Sequence, residues 1–375
     1  MKKLLIIGLF LLSQYSIAQN TASSEQLYEF TLEQIEPVIV SNENYQPFAK
    51  YVKNGIKAFK LTYKSTMKSE EVLLSGSILF PLNQKNPGIV IFCHGTQFNQ
   101  NVSSNWNNPL HIEALPALNG YITFLPDYLG YGISEGQLPA YFDKTNALKH
   151  LEDFITNGLN VLEQQSIQFK NELSIIGFSQ GGHLALSFAE KYRKGLFQNT
   201  PIHNTISIGG PTDLVQNLQY VLNQKIFAHS AYVPYLVGVH NHNYWKMSTS
   251  NLFHNPFSQM VSDFSKGKIS LEELTKKTPQ NIEEFVKPEI RNPKGKLYRK
   301  ISRKLNKHSL KPFKTSISLT FVHSRSDEDV PFDIMNEFYQ KMKKRNKSTN
   351  LVEVQGNHNT SGLFGMGIAM DILNN

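Results

Sequence analysis

The sequence predicts an α/β protein: a mostly parallel central sheet flanked by helices, interrupted by one large, mainly helical insertion. Three observations predict it. Short continuous apolar runs at 88–93, 121–125, 173–176 and 205–209 have the length and character of strands buried on both faces of a sheet. Helically spaced apolar segments lie between them, and such alternation builds βαβ units with right-handed crossovers. From about Leu214 to Thr315 no comparable strand occurs, and the alternation then resumes.

Taken in order, the chain opens with Lys2-Lys3, an apolar run from Leu4 to Leu12, and Ser16-Ile17-Ala18. This is the pattern of a secretory signal peptide over 1–18, cleaved after Ala18. The run is short for a membrane span, and no Cys stands at the cleavage site for a lipid anchor. The mature chain is therefore expected in the periplasm or outside the cell. Residues 19–58 read as a polar N-terminal extension, with an amphipathic helix expected over 27–39. Strands are expected at 59–63 and 72–80, the second closed by Pro81. The buried strand at 88–93 precedes a short helix at 112–118 and the strand at 121–125. Residues 141–166 carry Leu148, Leu151, Phe154, Ile155, Leu159 and Leu162 at helical spacing. Strand 173–176, a helix through Leu184 and Phe188, and strand 205–209 follow. Beyond the interruption come strand 317–322, helix 332–344, strand 351–354 and a last helix at 362–373. The core thus comprises 59–214 and 315–375, with 215–314 as a lid or cap.

Composition narrows the function classes. Of 375 residues 40% are hydrophobic, with 24 Phe and 16 Tyr, which excludes a disordered chain. The formal charge is +8, and loss of Lys2 and Lys3 with the leader leaves it basic. No recognition motif accompanies that charge, so nucleic acid is not expected as a partner. A membrane surface is compatible with it, but integral insertion is not expected. The Lys/Arg-rich stretch 287–314 reads as a solvated helical face. Cys93 is the only cysteine, so no intrachain disulfide exists, and it reads as a small buried hydrophobe. His229, His240, His242 and His254 have no carboxylate or Cys at ligand spacing, and no metal is expected. Phe227, Tyr232, Tyr235, Tyr244, Trp245, Phe253 and Phe257 either line a pocket or form the core of the insertion.

The chemistry concentrates at Gly177-Phe178-Ser179-Gln180-Gly181-Gly182, where a strand must reverse into a helix within a few residues. Gly177 and Gly181 leave room for a close crossing, and Ser179 is presented on a strained turn. A Ser hydroxyl is a poor nucleophile without a His base, and the His needs an acid to hold its tautomer. Asp327 follows strand 317–322, and His358 follows strand 351–354 within Gly356-Asn357-His358. Asp329 and Asp213 are alternative acids. The developing oxyanion needs two backbone donors. Gln180, next to the nucleophile, supplies one; Thr96, in the turn His94-Gly95-Thr96-Gln97, is the candidate for the other. Gly95 is expected to permit the tight turn, and His94 to brace the loop.

These elements, with Asp127-Tyr128-Leu129-Gly130-Tyr131-Gly132, resemble the α/β-hydrolase superfamily over about residues 59–373. The Asp127–Gly132 segment and the size of the insertion resemble the secreted lipase/esterase branch that includes fungal lipase A-type enzymes. The resemblance implies a cofactor-free serine hydrolase that cleaves acyl esters of small or lipid-like substrates through an acyl-enzyme. The Lys-rich half of the insertion departs from that pattern. A prolyl-type peptidase and a non-catalytic binding protein are the alternative expectations.

Overall fold

The computed structural model describes residues 22–43, 45–99 and 111–375; the leader expected at 1–18 lies outside them. The strands are β1 (Ser23–Phe30), β2 (Ile56–Met67), β3 (Glu70–Pro81), β4 (Ile89–Cys93), β5 (Ile122–Pro126), β6 (Leu173–Phe178), β7 (Leu196–Phe197), β8 (Thr200–Ile208), β9 (Ser318–Ser324) and β10 (Thr349–Val354). Their order is β1-β2-β3-β5-β4-β6-β8-β9-β10, with β7 paired to the side of β8. From β5 to β10 along this order the pairs are parallel, whereas β1, β2 and β3 join antiparallel.

The helices are α1 (Leu32–Ser41), α2 (Leu115–Leu118), α3 (Lys144–Gln164), α4 (Gln180–Lys191), α5 (Leu214–Asn223), α6 (Tyr232–His240), α7 (Phe257–Ser265), α8 (Leu271–Lys277), α9 (Ile282–Phe285), α10 (Pro288–Arg291), α11 (Lys296–Leu305), α12 (Phe332–Lys343) and α13 (His358–Asn374). The apolar runs are continuous because both sheet faces are covered. In β4, Ile89, Ile91 and Cys93 join the core beneath α3, α4 and α12. Val90 and Phe92, pointing the other way, join the core beneath α1, α2 and α13. Among the described residues no helix is long and apolar enough to cross a membrane.

Three expectations are corrected. Residues 27–39 are not one helix: Leu27 to Phe30 end β1, and Thr31 separates it from α1, its N–H bonded to Gln34 Oε1 at 2.9 Å. Ser23 pairs with Thr62 and Phe30 with Ile56, so β1 forms an edge of the sheet. The last helix starts at His358, four residues earlier than expected, because Asn357 Oδ1 caps it by accepting from Thr360 N at 3.0 Å. Strand β8 starts at Thr200 because Leu196–Phe197 folds back on it as a hairpin.

Helices α5 to α11 lie between β8 and β9 and enclose a core of their own around Tyr235, Trp245, Phe253 and Phe285. The segment is fastened to the sheet body by specific contacts. Tyr141 stacks on Tyr235 with centroids 3.9 Å apart, and its carbonyl accepts from His240 Nε2 at 3.1 Å. Asn146 Nδ2 donates to Tyr244 Oη at 2.9 Å, and Leu310 N donates to Thr212 O at 3.0 Å. On α11 the residues Tyr298, Ile301 and Leu305 face inward while Lys296, Arg299, Lys300 and Arg303 face solvent.

Burial holds several imidazoles neutral. Desolvation lowers His94 and His183 to about 4 and His240 to about 3. The ordinary value is about 6.5. Between those limits the unfolded chain binds more protons than the folded one, so stability falls as pH drops from about 6.5 towards 4. The urea midpoint is accordingly expected to be lower at pH 5 than at pH 7; an equal or higher midpoint at pH 5 would contradict this account.

Candidate active site

Parallel strands bring their carboxyl ends to one edge of the sheet, where the connecting loops converge. Ser179 follows β6 directly, Asp327 follows β9 and His358 follows β10. His358 Nε2 is 2.9 Å from Ser179 Oγ, and His358 Nδ1 is 2.7 Å from Asp327 Oδ2. All three residues are buried. The second carboxylate oxygen, Asp327 Oδ1, accepts from Asp329 N at 3.0 Å and Val330 N at 2.8 Å. Those two bonds fix the carboxylate and leave Oδ2 to His358. With the carboxylate ionised, His358 Nδ1 is the donor to Asp327 and Nε2 is the acceptor for the Ser179 hydroxyl.

Ser179 has φ 53° and ψ −116°, in the left-handed half of backbone space. Such a conformation costs about 1–3 kcal/mol in a non-glycine residue. It is held by Ser179 N bonding to Ile208 O at 2.8 Å and His183 N bonding to Ser179 O at 3.1 Å. The two motif glycines make the turn possible. A Cβ on Gly177 would stand 2.1 Å from Gly181 O, and one on Gly181 would stand 1.9 Å from Cys93 O.

Gln180 is the first residue of α4, so its N–H has no intrahelical acceptor and lies at the positive end of the helix. Thr96 lines the same cleft as Ser179, and its Oγ1 donates to Tyr141 Oη at 3.2 Å. Gly95 does not have a positive φ; the Phe178 ring occupies its side-chain space, 2.8 Å from a notional Cβ. His94 Nδ1 donates to Gly95 O at 2.7 Å, and its ring stacks on Tyr128 at 3.9 Å. It braces the loop and does not join the Ser179 chain of bonds. Tyr128 Oη donates to His94 O at 3.0 Å. Asp127 lies away from His358: it accepts from Ser75 Oγ at 2.6 Å, and Ser75 Oγ in turn accepts from Ile133 N at 3.0 Å.

The alternative acids are otherwise engaged. Asp213 caps α5, accepting from Val215 N at 3.0 Å and Gln216 N at 3.1 Å. Asp329 Oδ1 bonds His229 Nδ1 at 2.7 Å. Two neighbours of the site escape sequence reasoning. His323 Nε2 donates to Val330 O at 2.8 Å and lies 3.5 Å from Asp327 Oδ2, stiffening the acid's turn. The other is the His229–Asp329 pair, whose members are 100 positions apart. The His at the end of β9 was a visible signal for the first; the second has none.

Ser179 opens into a cleft of about 580 Å³, counting the space open to solvent. Its walls include Leu214, Leu218 and Val221 of α5 and Val233 and Leu236 of α6. That size and apolar character suit a small organic group. Of the aromatic residues that could serve either pocket or core, Tyr232 lines this cleft, while Tyr235, Trp245, Phe253 and Phe257 pack inside the insertion.

A family model described as palmitoyl protein thioesterase matches residues 89–286. No curated protein matches the chain. Among solved structures, a hydrolase from Legionella pneumophila is similar with a TM-score of 0.82 at 20% identity, covering 94% of this chain and 96% of that one. The rice cell wall degrading esterase LipA from Xanthomonas oryzae gives 0.77 at 19% identity, covering 92% and 94%. Candida antarctica lipase A in its closed state gives 0.64 at 14% identity, covering 92% and 78%. These likenesses show the α/β-hydrolase fold.

The crossing of β6 and α4 makes a strong demand on Gly181. Gly181→Ala is expected to destabilise the fold by more than about 2 kcal/mol, measured by chemical denaturation. Stability equal to the parent would mean that the Cys93 carbonyl can retreat from the turn.

Proposed function

Because the chain belongs to the palmitoyl protein thioesterase family, we propose that it is a serine ester hydrolase acting through Ser179, His358 and Asp327. The observation that carries this reading is the unbroken chain of hydrogen bonds Ser179–His358–Asp327, at 2.9 and 2.7 Å. As Ser179 Oγ attacks the acyl carbonyl, His358 Nε2 takes its proton, and Asp327 stabilises the imidazolium through Nδ1–H. The negative charge developing on the carbonyl oxygen is stabilised by hydrogen bonds donated by the N–H groups of Gln180 and Thr96. Collapse breaks the bond to the leaving group, which takes the proton from His358 and departs, leaving an acyl-enzyme. Water then repeats the sequence and releases the acid.

The apolar walls supplied by α5 and α6 receive the acyl chain, and the insertion serves as the cap over it. A thioester is the second reading, favoured by the family match itself. The leader pattern at 1–18 supports export of the mature chain to the periplasm or the exterior.

Ser179→Ala is expected to lower kcat/KM for p-nitrophenyl butyrate by about 10⁴-fold or more, with thermal stability retained. Equal rates for parent and variant would overturn the assignment. Running butyryl thioesters beside the oxyesters ranks the two readings. Export is checked separately: protein recovered outside the cytoplasm should begin at Gln19, and an intact Met1 on exported protein would contradict the cleavage.

A further inference from the structure

Asp329 stands two residues beyond Asp327 and is bonded to a different imidazole. Its Oδ1 bonds His229 Nδ1 at 2.7 Å, and this carboxylate raises the His229 pKa. The side chain is only 6% exposed, yet its Oδ2 is buried without a partner among the described residues. A buried carboxylate oxygen lacking a donor is costly, and such atoms in native structures have a reason.

Its position suggests the reason. Asp329 lines the apolar cleft that holds Ser179 and also a second cleft that holds His358. The second cleft is of about 830 Å³, counting open space, and its walls are polar: Gln224, His229, Glu328, Asn357 and Asn359 among them. In acyl transfer the acyl group stays on the Ser, while the leaving group takes a proton from the His and departs on the His side. The two clefts therefore divide the substrate by polarity, with the acyl chain on the Ser179 side and a hydrophilic leaving group on the His358 side. Asp329 lies where they meet. His229 already bonds one carboxylate oxygen of Asp329, so the other is left for a hydroxyl donor.

We propose that Asp329, held by His229, is a specificity-determining residue whose free carboxylate oxygen accepts a hydrogen bond from a hydroxyl of the leaving alcohol. The substrate class is then apolar acyl esters of polyhydroxylated alcohols. This rests on the ester-hydrolase reading.

Glycerol monobutyrate and propyl butyrate test it, since they share acyl group and carbon count and differ only in two hydroxyls. The full-length exported chain is expected to prefer the glyceryl ester by about 10- to 100-fold in kcat/KM, the range for a hydrogen bond to a charged group. In Asp329→Asn, where an amide can replace the free acceptor with a donor, that ratio is expected to fall close to one. In His229→Gln, which keeps a donor to Asp329, most of the preference is expected to persist. The ratio is insensitive to a general loss of folded enzyme, which lowers both rates alike. A parent enzyme with no preference, or an Asp329→Asn variant that keeps it, overturns the proposal and leaves the ester-hydrolase reading intact. Hydrolysis of neither ester overturns both.

Discussion

The close crossing of α4 over β4 and β6 is the constraint on which the rest of the site depends. With no side chain at Gly181, the first turn of α4 comes against the Cys93 carbonyl, where a Cβ would be 1.9 Å away. That approach forces the reversal at Ser179 into φ 53° and sets the open end of the helix beside its hydroxyl. Cys93 contributes its carbonyl rather than its thiol, which burial raises to about 12 and so keeps protonated. The strands on the far side of β6 run parallel to it, so the loops after β9 and β10 arrive at the same edge carrying Asp327 and His358.

Residues 94–99, which include Thr96, have no regular structure and are held by tyrosine hydroxyls. Tyr128 Oη bonds His94 O, Tyr131 Oη bonds Gln97 O, and Tyr141 Oη accepts from Thr96 Oγ1. Two of these come from the Asp127-Tyr128-Leu129-Gly130-Tyr131-Gly132 segment, which explains physically why that motif accompanies the Ser179 turn without touching His358. Tyr141 also stacks on Tyr235 of the insertion. The Thr96 loop, the core and the insertion are thus tied through one aromatic cluster.

What could be read in the sequence was what packing makes repetitive. Strands β4, β5, β6 and β8 are legible because burial on both faces writes unbroken apolar runs, and the Ser179 turn is legible because Gly177 and Gly181 are sterically compelled. Strand β1 was hidden because an edge strand is only half buried, so Leu27, Tyr28 and Phe30 blend into the helical spacing of Ile35 and Ile39. The start of α13 was hidden because Gly362, Gly365 and Gly367 dilute its pattern and the cap at Asn357 is a single residue. Asp213, Asp327 and Asp329 all follow strands, and nothing local separates them. Their partners do: a helix terminus, His358 and His229 respectively. Two of those partners lie beyond the reach of any window of sequence.

Asp327 and Asp329 show how one turn carries two roles without interference. The backbone N–H of Asp329 binds Asp327 Oδ1, so the residue that faces the insertion also helps orient the acid of the Ser179 chain. Its side chain, by contrast, answers to His229, which belongs to the insertion between β8 and β9. A change in the insertion that moves His229 therefore alters the wall shared by the two clefts, while the backbone bonds that set Asp327 against His358 stay as they are. Substrate preference is in this way separable from reaction geometry. The separation follows from the partners: Asp327 Oδ2 bonds His358, whereas Asp329 Oδ1 bonds His229.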